Sequence, residues 1–442
     1  MTVRLASPEF LLPNPQDMTA EALAVQLQAM RRGGHDLRRL SSRHVIELLA
    51  RWVEHWRQPD FFWRRQAVTA LHDATGFSLP VLEQGLDELF GAWTQDAMIE
   101  LVRWELGADW LEGTPDTPVS MEGFARRHLP PQVVGVILAG NVPPPALQAL
   151  MAGLLVHAPV FLKAASEDPW FPAVLVGSLQ SVVPELGEHV GWGVWPGPAP
   201  QTDVLLRRAE VVIGYGSDST MKALRARAPA YTRLIEHGHR MSLAYVAREG
   251  LRQDGLALLG LALARDVALY DQQGCLSPHV ILVERGGEVP VQALCEQLVQ
   301  GSLPEVARKW PPGRLSLGQA AAIVQFKGVV AFTGELWEGE GGSVCLVTGD
   351  RFEPSCLGRV ILVKEVDMVQ DAAFFLEPMR HHIQGIALEA DESRWGGLAS
   401  RLAQLGASRI CRPGQLQSPT AAWTGDGRPV LRDLTRLVTF EP

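Results

Sequence analysis

The sequence predicts an α/β protein with two Rossmann-like parallel-sheet domains behind a helical N-terminal region. Three observations carry that expectation. From about residue 130, short apolar runs of strand type alternate with amphipathic helical segments, a βαβα succession that builds a parallel sheet covered on both faces. A second stretch of the same kind runs from about 241 to 411. Before residue 125, apolar residues recur at helical rather than alternating spacing. With 442 residues there is length for roughly two or three well-formed cores. The chain is expected to divide into 1–240 (helical region plus a first sheet domain), 241–411 (a second sheet domain) and 412–442 (a tail).

In the N-terminal region, Val45, Leu48, Leu49, Trp52 and Trp56 share one face of a helix over Arg43–Trp56, with Ser42 as its N-cap. Thr69–Asp73 and Val81–Trp93 read as further helical pieces, a scaffold or channel wall. Phe61-Phe62-Trp63 reads as core, with an acyl-tunnel lining as the functional alternative. In the first sheet domain, strands are expected at Val133–Leu138, Val160–Lys163, Val190–Val194 and Val211–Gly214. Helices are expected at Ala146–Leu155, Phe171–Val183, Thr202–Arg208 and Ser219–Ala226. The second domain reads as strand Ser242–Val246, helix Gly255–Ala268, buried strand His279–Glu284 and helix Val291–Gln300. Strands around Ile323–Phe332 and Val360–Val363 follow. In the tail, Arg436–Phe440 reads as a strand returning to the first domain or to a partner subunit.

Composition narrows the function. A net charge of −9 argues against a general nucleic-acid binder, and the arginines between Arg31 and Arg65 fit the wet face of amphipathic helices. Five cysteines at 275, 295, 345, 356 and 411 form no close pair and no zinc-type spacing, which suits a reducing, cytoplasmic setting. No secretory signal pattern is visible. The uncharged run from Pro131 to Leu162 is broken by Gly140-Asn141 and by three prolines, so no membrane span is expected there.

Ligands of parallel sheets bind at the carboxyl ends of strands, and here those ends carry chemistry. Gly216 and Ser217, in Gly214-Tyr215-Gly216-Ser217, open a helix whose N-terminus suits an anion such as a pyrophosphate. Lys163 ends a strand and is followed by Ser166 and Glu167, a cation, hydroxyl and carboxylate able to hold an adenosine ribose or its phosphate. Asn141 sits between a strand and a proline-initiated helix, where its amide can serve a developing oxyanion. Glu236 precedes a strand and can act as a general acid or base. Cys275 lies in the polar turn Asp271-Gln272-Gln273-Gly274-Cys275-Leu276-Ser277-Pro278, where a thiol is presented rather than buried. Each feature taken alone also has an ordinary structural reading.

Together, these pieces resemble the aldehyde dehydrogenase superfamily in order and approximate spacing. Its elements are an Asn-x-Pro loop, a strand ending in Lys, a Gly-Ser helix start, a Glu-x-Gly segment and the nucleophilic Cys. Within it, the chain most resembles the bacterial long-chain acyl-CoA (fatty acid) reductases of the bioluminescence type. Gly140-Asn141-Val142-Pro143, Gly216-Ser217-Asp218, Glu236-His237-Gly238 and the Cys275 turn carry the resemblance, with Gly425-Asp426-Gly427 as a C-terminal signature. It implies an aldehyde dehydrogenase-like fold and reduction of a long-chain acyl thioester to an aldehyde. Cys275 would be the nucleophile, Asn141 an oxyanion donor and Glu236 the proton handler. The family association implies NADPH, although Lys163 to Glu167 is one residue longer than the common spacing, so NADH stays open. The superfamily's Glu-x-Phe-Gly-Pro run is not kept, and Glu353 is the candidate for its carboxylate. The implied acyl donor is coenzyme A, a carrier or an acyl-protein synthetase, and the implied assembly is a homo-oligomer. Two other readings stand beside this one: an NAD(P)-dependent aldehyde dehydrogenase that oxidises aldehydes, and a non-catalytic acyl-binding protein of the same fold.

Overall fold

The computed structural model describes residues 18–115, 125–140 and 142–441. Six helices lead the chain: α1 (Ala20–Arg39), α2 (Ser42–Arg57), α3 (Phe62–Thr75), α4 (Leu79–Gly91), α5 (Gln95–Leu106) and α6 (Ala108–Glu112). The N-cap of α2 is Ser41, which accepts from His44 N at 3.2 Å, and not Ser42 as the sequence suggested. Ser42 is drawn inward instead, donating to Trp110 O at 2.7 Å and meeting His157 Nε2 at 3.0 Å. The tryptophans of α2 are core. Trp52 and Trp56 both donate to Ser178 Oγ, at 3.0 and 3.1 Å, and Trp56 stacks on Phe90 at 4.4 Å. Trp63 is buried too, leaving the Phe61–Trp63 cluster to packing.

Strand β1 (Ala125–Leu129) precedes a five-stranded parallel sheet of β2 (Val134–Ile137), β3 (Val160–Ala164), β4 (Val190–Val194), β5 (Val211–Tyr215) and β6 (Arg233–His237). Its strand order is β4-β3-β2-β5-β6. The crossover helices are α7 (Pro144–Leu155), α8 (Trp170–Val182), α9 (Pro184–Gly187), α10 (Pro200–Arg208) and α11 (Asp218–Arg227). Strands β2 and β3 are buried along their length, as expected where both faces are covered. Apolar residues of α1 and α10 cover one face, and α2, α7 and α8 share a core on the other.

The second sheet has seven strands in the order β13-β12-β7-β8-β11-β10-β9, parallel except where β9 runs antiparallel to β10. These are β7 (Met241–Val246), β8 (Pro278–Glu284), β9 (Gly334–Gly339), β10 (Gly342–Val347), β11 (Val360–Val366), β12 (Ile383–Glu389) and β13 (Arg409–Cys411). Its helices are α12 (Leu256–Ala268), α13 (Val291–Glu296), α14 (Leu303–Lys309), α15 (Leu317–Thr333), α16 (Val369–Leu376) and α17 (Glu392–Ala403). Along β8, Ile281 and Val283 face one core while Val280 and Leu282 face the other, the period of two that a strand imposes.

The expected strand at Ile323–Phe332 is wrong: that segment lies inside helix α15. Ser316 and Gln319 form a reciprocal capping box that starts the helix, and Ala320-Ala321-Ala322 favours it. The tail returns as β14 (Arg436–Phe440), which pairs antiparallel with β1. No helix among the described residues is long and apolar enough to cross a membrane.

Candidate active site

The Cys275 turn owes its shape to an unusual backbone. Tyr270, Asp271 and Gln272 have φ of 56°, 47° and 68°, three consecutive non-glycine residues in the left-handed region. Each such residue costs about 1–2 kcal/mol, so specific bonds must hold the turn. Asp271 binds buried Arg359 at 2.6 Å and accepts from Gly313 N at 2.9 Å. The Gln272 amide donates to the carbonyls of Pro278 and Val360, at 2.9 and 3.1 Å, which leaves its buried Oε1 without a partner. Tyr270 fits over Gly85, where a Cβ would stand 2.4 Å from the phenol oxygen. Ser242 Oγ donates to Cys275 O at 2.9 Å and fixes the end of the turn.

Of the five cysteines, Cys275 is the only exposed one. Its exposure is onto a cavity of about 690 Å³, in whose depth the thiol is still largely screened from bulk water. That burial, reinforced by the charge of Asp426, pushes the thiol up to about 12, against the opposing pull of nearby backbone N–H groups and Arg240. At neutral pH the thiol is therefore held in its protonated form.

The cavity lies between the two sheets. Gly140 and Gly216, at the carboxyl ends of β2 and β5, border it. Strand order reverses between β2 and β5, which makes this the topological switch point where parallel sheets take ligands. A Cβ on Gly140 would stand 2.9 Å from Glu167 Cβ and 3.0 Å from Asp168 N, so only glycine lets the two loops meet. Ser217 caps α11, accepting from Thr220 N at 3.2 Å, and also borders the cavity. The bare glycine cradle, the start of α11 and the orphaned Gln272 Oε1 fit a dinucleotide cofactor. Gly85 and Leu89 of α4, with Trp93 beyond it, add an apolar wall.

The site residues read from the sequence divide into three groups. Cys275, Gly216, Ser217 and Glu167 line one cavity. Asn141 lies outside the described residues, though Gly140 and Val142 on either side border the same space. Lys163, Ser166, Glu236 and Glu353 are not among its lining residues. Lys163 is buried at the end of β3, where desolvation lowers its pKa and Glu167 opposes that shift. Ser166 is exposed on the loop that follows. Glu353 is turned to solvent by its buried neighbour Phe352.

Glu236 differs most from its expected role. Its Oε2 is bound by Arg225 of α11 at 2.5 Å, because strand alternation puts Ile235 and His237 on the face opposite to it. His237 and Asp426, which no sequence argument paired, stand on the cavity side instead. His237 Nδ1 meets Asp426 Oδ2 at 2.5 Å, and Arg240 Nε donates to Asp426 Oδ1 at 2.6 Å. Burial alone would raise the Asp426 carboxyl, but the bonds from His237 and Arg240 hold it below the ordinary range. The signal available in the sequence was Glu236-His237-Gly238-His239-Arg240; its partner lies 189 residues downstream of His237.

Residues 37–437 match the family model described as acyl-CoA reductase (LuxC). The long-chain acyl-protein thioester reductase of Aliivibrio fischeri is 23% identical over 421 residues, covering 91% of this chain and 83% of that protein. The protein of the same description from Vibrio harveyi is 21% identical over 427 residues, 92% of this chain and 84% of the relative. Among solved structures, an NAD-dependent aldehyde dehydrogenase from Sinorhizobium meliloti superposes with a TM-score of 0.73 at 14% identity, covering 96% of this chain and 87% of that one. A putative aldehyde dehydrogenase, PutA, from Anabaena variabilis gives 0.68 at 18% identity, with 96% and 93% covered. The fold is thus aldehyde dehydrogenase-like, and, with the match spanning nearly the whole sequence, the chain belongs to the acyl-CoA reductase (LuxC) family.

Proposed function

We propose that this protein reduces a long-chain fatty acyl group, delivered as a thioester, to the fatty aldehyde, with Cys275 as nucleophile and NADPH as reductant. The observation that carries the reading is the single exposed thiol, facing the switch-point cradle across one cavity. The description of the relatives as long-chain acyl-protein thioester reductases supports the substrate class. Coenzyme A, a carrier or a synthetase protein would present the acyl group.

Cys275 Sγ attacks the acyl carbonyl, the donor's C–S bond breaks, and the acyl group is held as a Cys275 thioester. The Cys275 backbone N–H and the Asn141 amide are the proposed oxyanion donors, each worth about 3 kcal/mol in the transition state. Gly140, Gly216 and Ser217 would receive the dinucleotide, with Glu167 and Lys163 toward its ribose. When bound, the reduced nicotinamide supplies the hydride. The resulting thiohemiacetal on Cys275 collapses to aldehyde and frees the thiolate, which is protonated again. The apolar wall of Leu89 and Trp93 would hold the start of the acyl chain and exclude water from the thioester.

A single-turnover assay tests this, with NADPH and tetradecanoyl-coenzyme A added to wild type and to Cys275→Ala. Thiol release and NADPH loss in the wild type only are expected. An untouched NADPH signal, with NADP reduced when a long aldehyde is supplied, would transfer the assignment to aldehyde oxidation.

A further inference from the structure

Attack by an un-ionised thiol requires a group that can take its proton, and Glu236 is tied to Arg225 away from the cavity. Three features converge on another group. His237 and Asp426 both border the cavity onto which Cys275 opens. The imidazole is held on both sides: Asp426 Oδ2 lies 2.5 Å from Nδ1, and the Tyr215 ring stacks on it at 4.6 Å and 10°. Asp426 is itself fixed, with a side chain only 3% exposed and a second bond to Arg240. A carboxylate at Nδ1 sets the tautomer with the proton on that nitrogen, leaving Nε2 as the acceptor. The thiol is also electrostatically coupled to Asp426 and Arg240, and the Tyr215 phenol to Asp426 and Cys275, so these side chains form one neighbourhood.

We propose that His237 is the proton relay of the acyl-transfer half-reaction and that Asp426, supplied by the C-terminal segment, is its positioning residue. The inference rests on the acyl reductase reading above. As Cys275 Sγ bonds to the acyl carbon, its proton passes to His237 Nε2, directly or through one water. The electron pair of the breaking C–S bond leaves with the donor sulfur, which takes that proton from His237. One thioester is exchanged for another, and nothing is oxidised or reduced in this half. The Asp426 carboxylate stabilises the imidazolium formed midway. The other charged or titratable groups around the imidazole are Arg240 on its own segment, Tyr215 on β5, Cys275 on the turn and Arg428 on the tail. His239, His279, Glu88 and Glu167 border the same cavity.

The test follows thiol release from tetradecanoyl-coenzyme A in single turnovers between pH 5.5 and 9.5, for wild type, His237→Gln, His237→Ala and Asp426→Asn. Melting and NADPH fluorescence titrations control for folding and cofactor binding. A base of this type contributes about 10²- to 10⁴-fold, which is the loss expected in His237→Gln with NADPH binding retained. Imidazole should restore part of the rate to His237→Ala. In Asp426→Asn the rate should fall and the ascending limb of the pH profile should shift, a change that mere loosening of the fold would not give. The relay is overturned if the folded variants acylate within threefold of wild type with the same profile. A wild-type rate that rises only as the thiol itself ionises overturns it too, without any variant. A wild type that releases thiol from no acyl thioester refutes the reductase reading, and the relay falls with it; the inactive parent tells that outcome from the others.

Discussion

Replacing Asp271 by Asn separates the charge that holds the Cys275 turn from the shape of the side chain. Asparagine keeps an oxygen for Gly313 N–H but leaves Arg359, about 1% exposed, without its counter-ion. Removing one partner of a buried ion pair costs about 3–5 kcal/mol. The three left-handed residues at 270–272 depend on that bond, so the turn relaxes as the protein weakens. At about 2–4 °C per kcal/mol for a large domain, the melting temperature should fall by roughly 6–20 °C. Arg359→Met in the same chain removes the stranded charge, and the double variant should recover more than half of the loss. Scanning fluorimetry reads the stability, and the rate of Cys275 alkylation reads the geometry of the turn. Asp271→Asn melting within about 3 °C of wild type, or a double variant no better than the single one, would refute the claim that this pair holds the Cys275 turn in place.

Three further outcomes are expected. Glu105 accepts from the backbone N–H groups of Val430, Leu431 and Arg432 at 2.8, 2.6 and 2.9 Å; Glu105→Ala should speed hydrogen exchange there at least about tenfold, since lost buried bonds cost about 1–3 kcal/mol each. Asp266 is pushed up to about 7 by burial, against bonds from Gly414 and Leu416 N–H, whereas its unfolded value is near 4. The folded state therefore holds that proton more tightly, and the contribution of Asp266 is full below about pH 4 and declines toward pH 7 by an amount on the order of 4 kcal/mol. Urea unfolding at several pH values should show a flatter dependence in Asp266→Asn. Gly140→Ala drives a methyl against Glu167 Cβ and Asp168 N, so the loops must part; it should lower the melting temperature and weaken NADPH binding about tenfold or more in a fluorescence titration.

The first sheet was legible because each of its buried strands is a short apolar run bounded by a turn, and β4 falls at the residues the pattern marks. The Cys275 turn was legible from its polar residues between an apolar helix and an apolar strand. What failed were decisions between neighbouring options. In α15, seventeen residues mix alanine with β-branched and aromatic side chains, so their periodicity is weak, and the capping box at Ser316 was the discriminating signal. Ser41 and Ser42 are equivalent as caps until burial draws one of them inward. Which of Glu236 and His237 faces the cavity is a matter of strand parity, which a sequence does not state but a sheet imposes. The pairing of His237 with Asp426 is a long-range product of folding, out of reach of any local pattern.

The pairing of β1 with β14 has a consequence for how the protein is made. His128 and Thr435, bonded at 2.7 Å across this ribbon, are 307 residues apart. At about 5–20 residues per second, a ribosome needs roughly 15–60 s to supply the second strand after the first has been built. During that interval β1 lacks its partner edge and His237 lacks its carboxylate. Both arrive only when residues 426–440 have been translated, so the cavity is completed after both sheets have been made. A chain stopped between residues 411 and 426 would carry the thiol and both sheets but not Asp426.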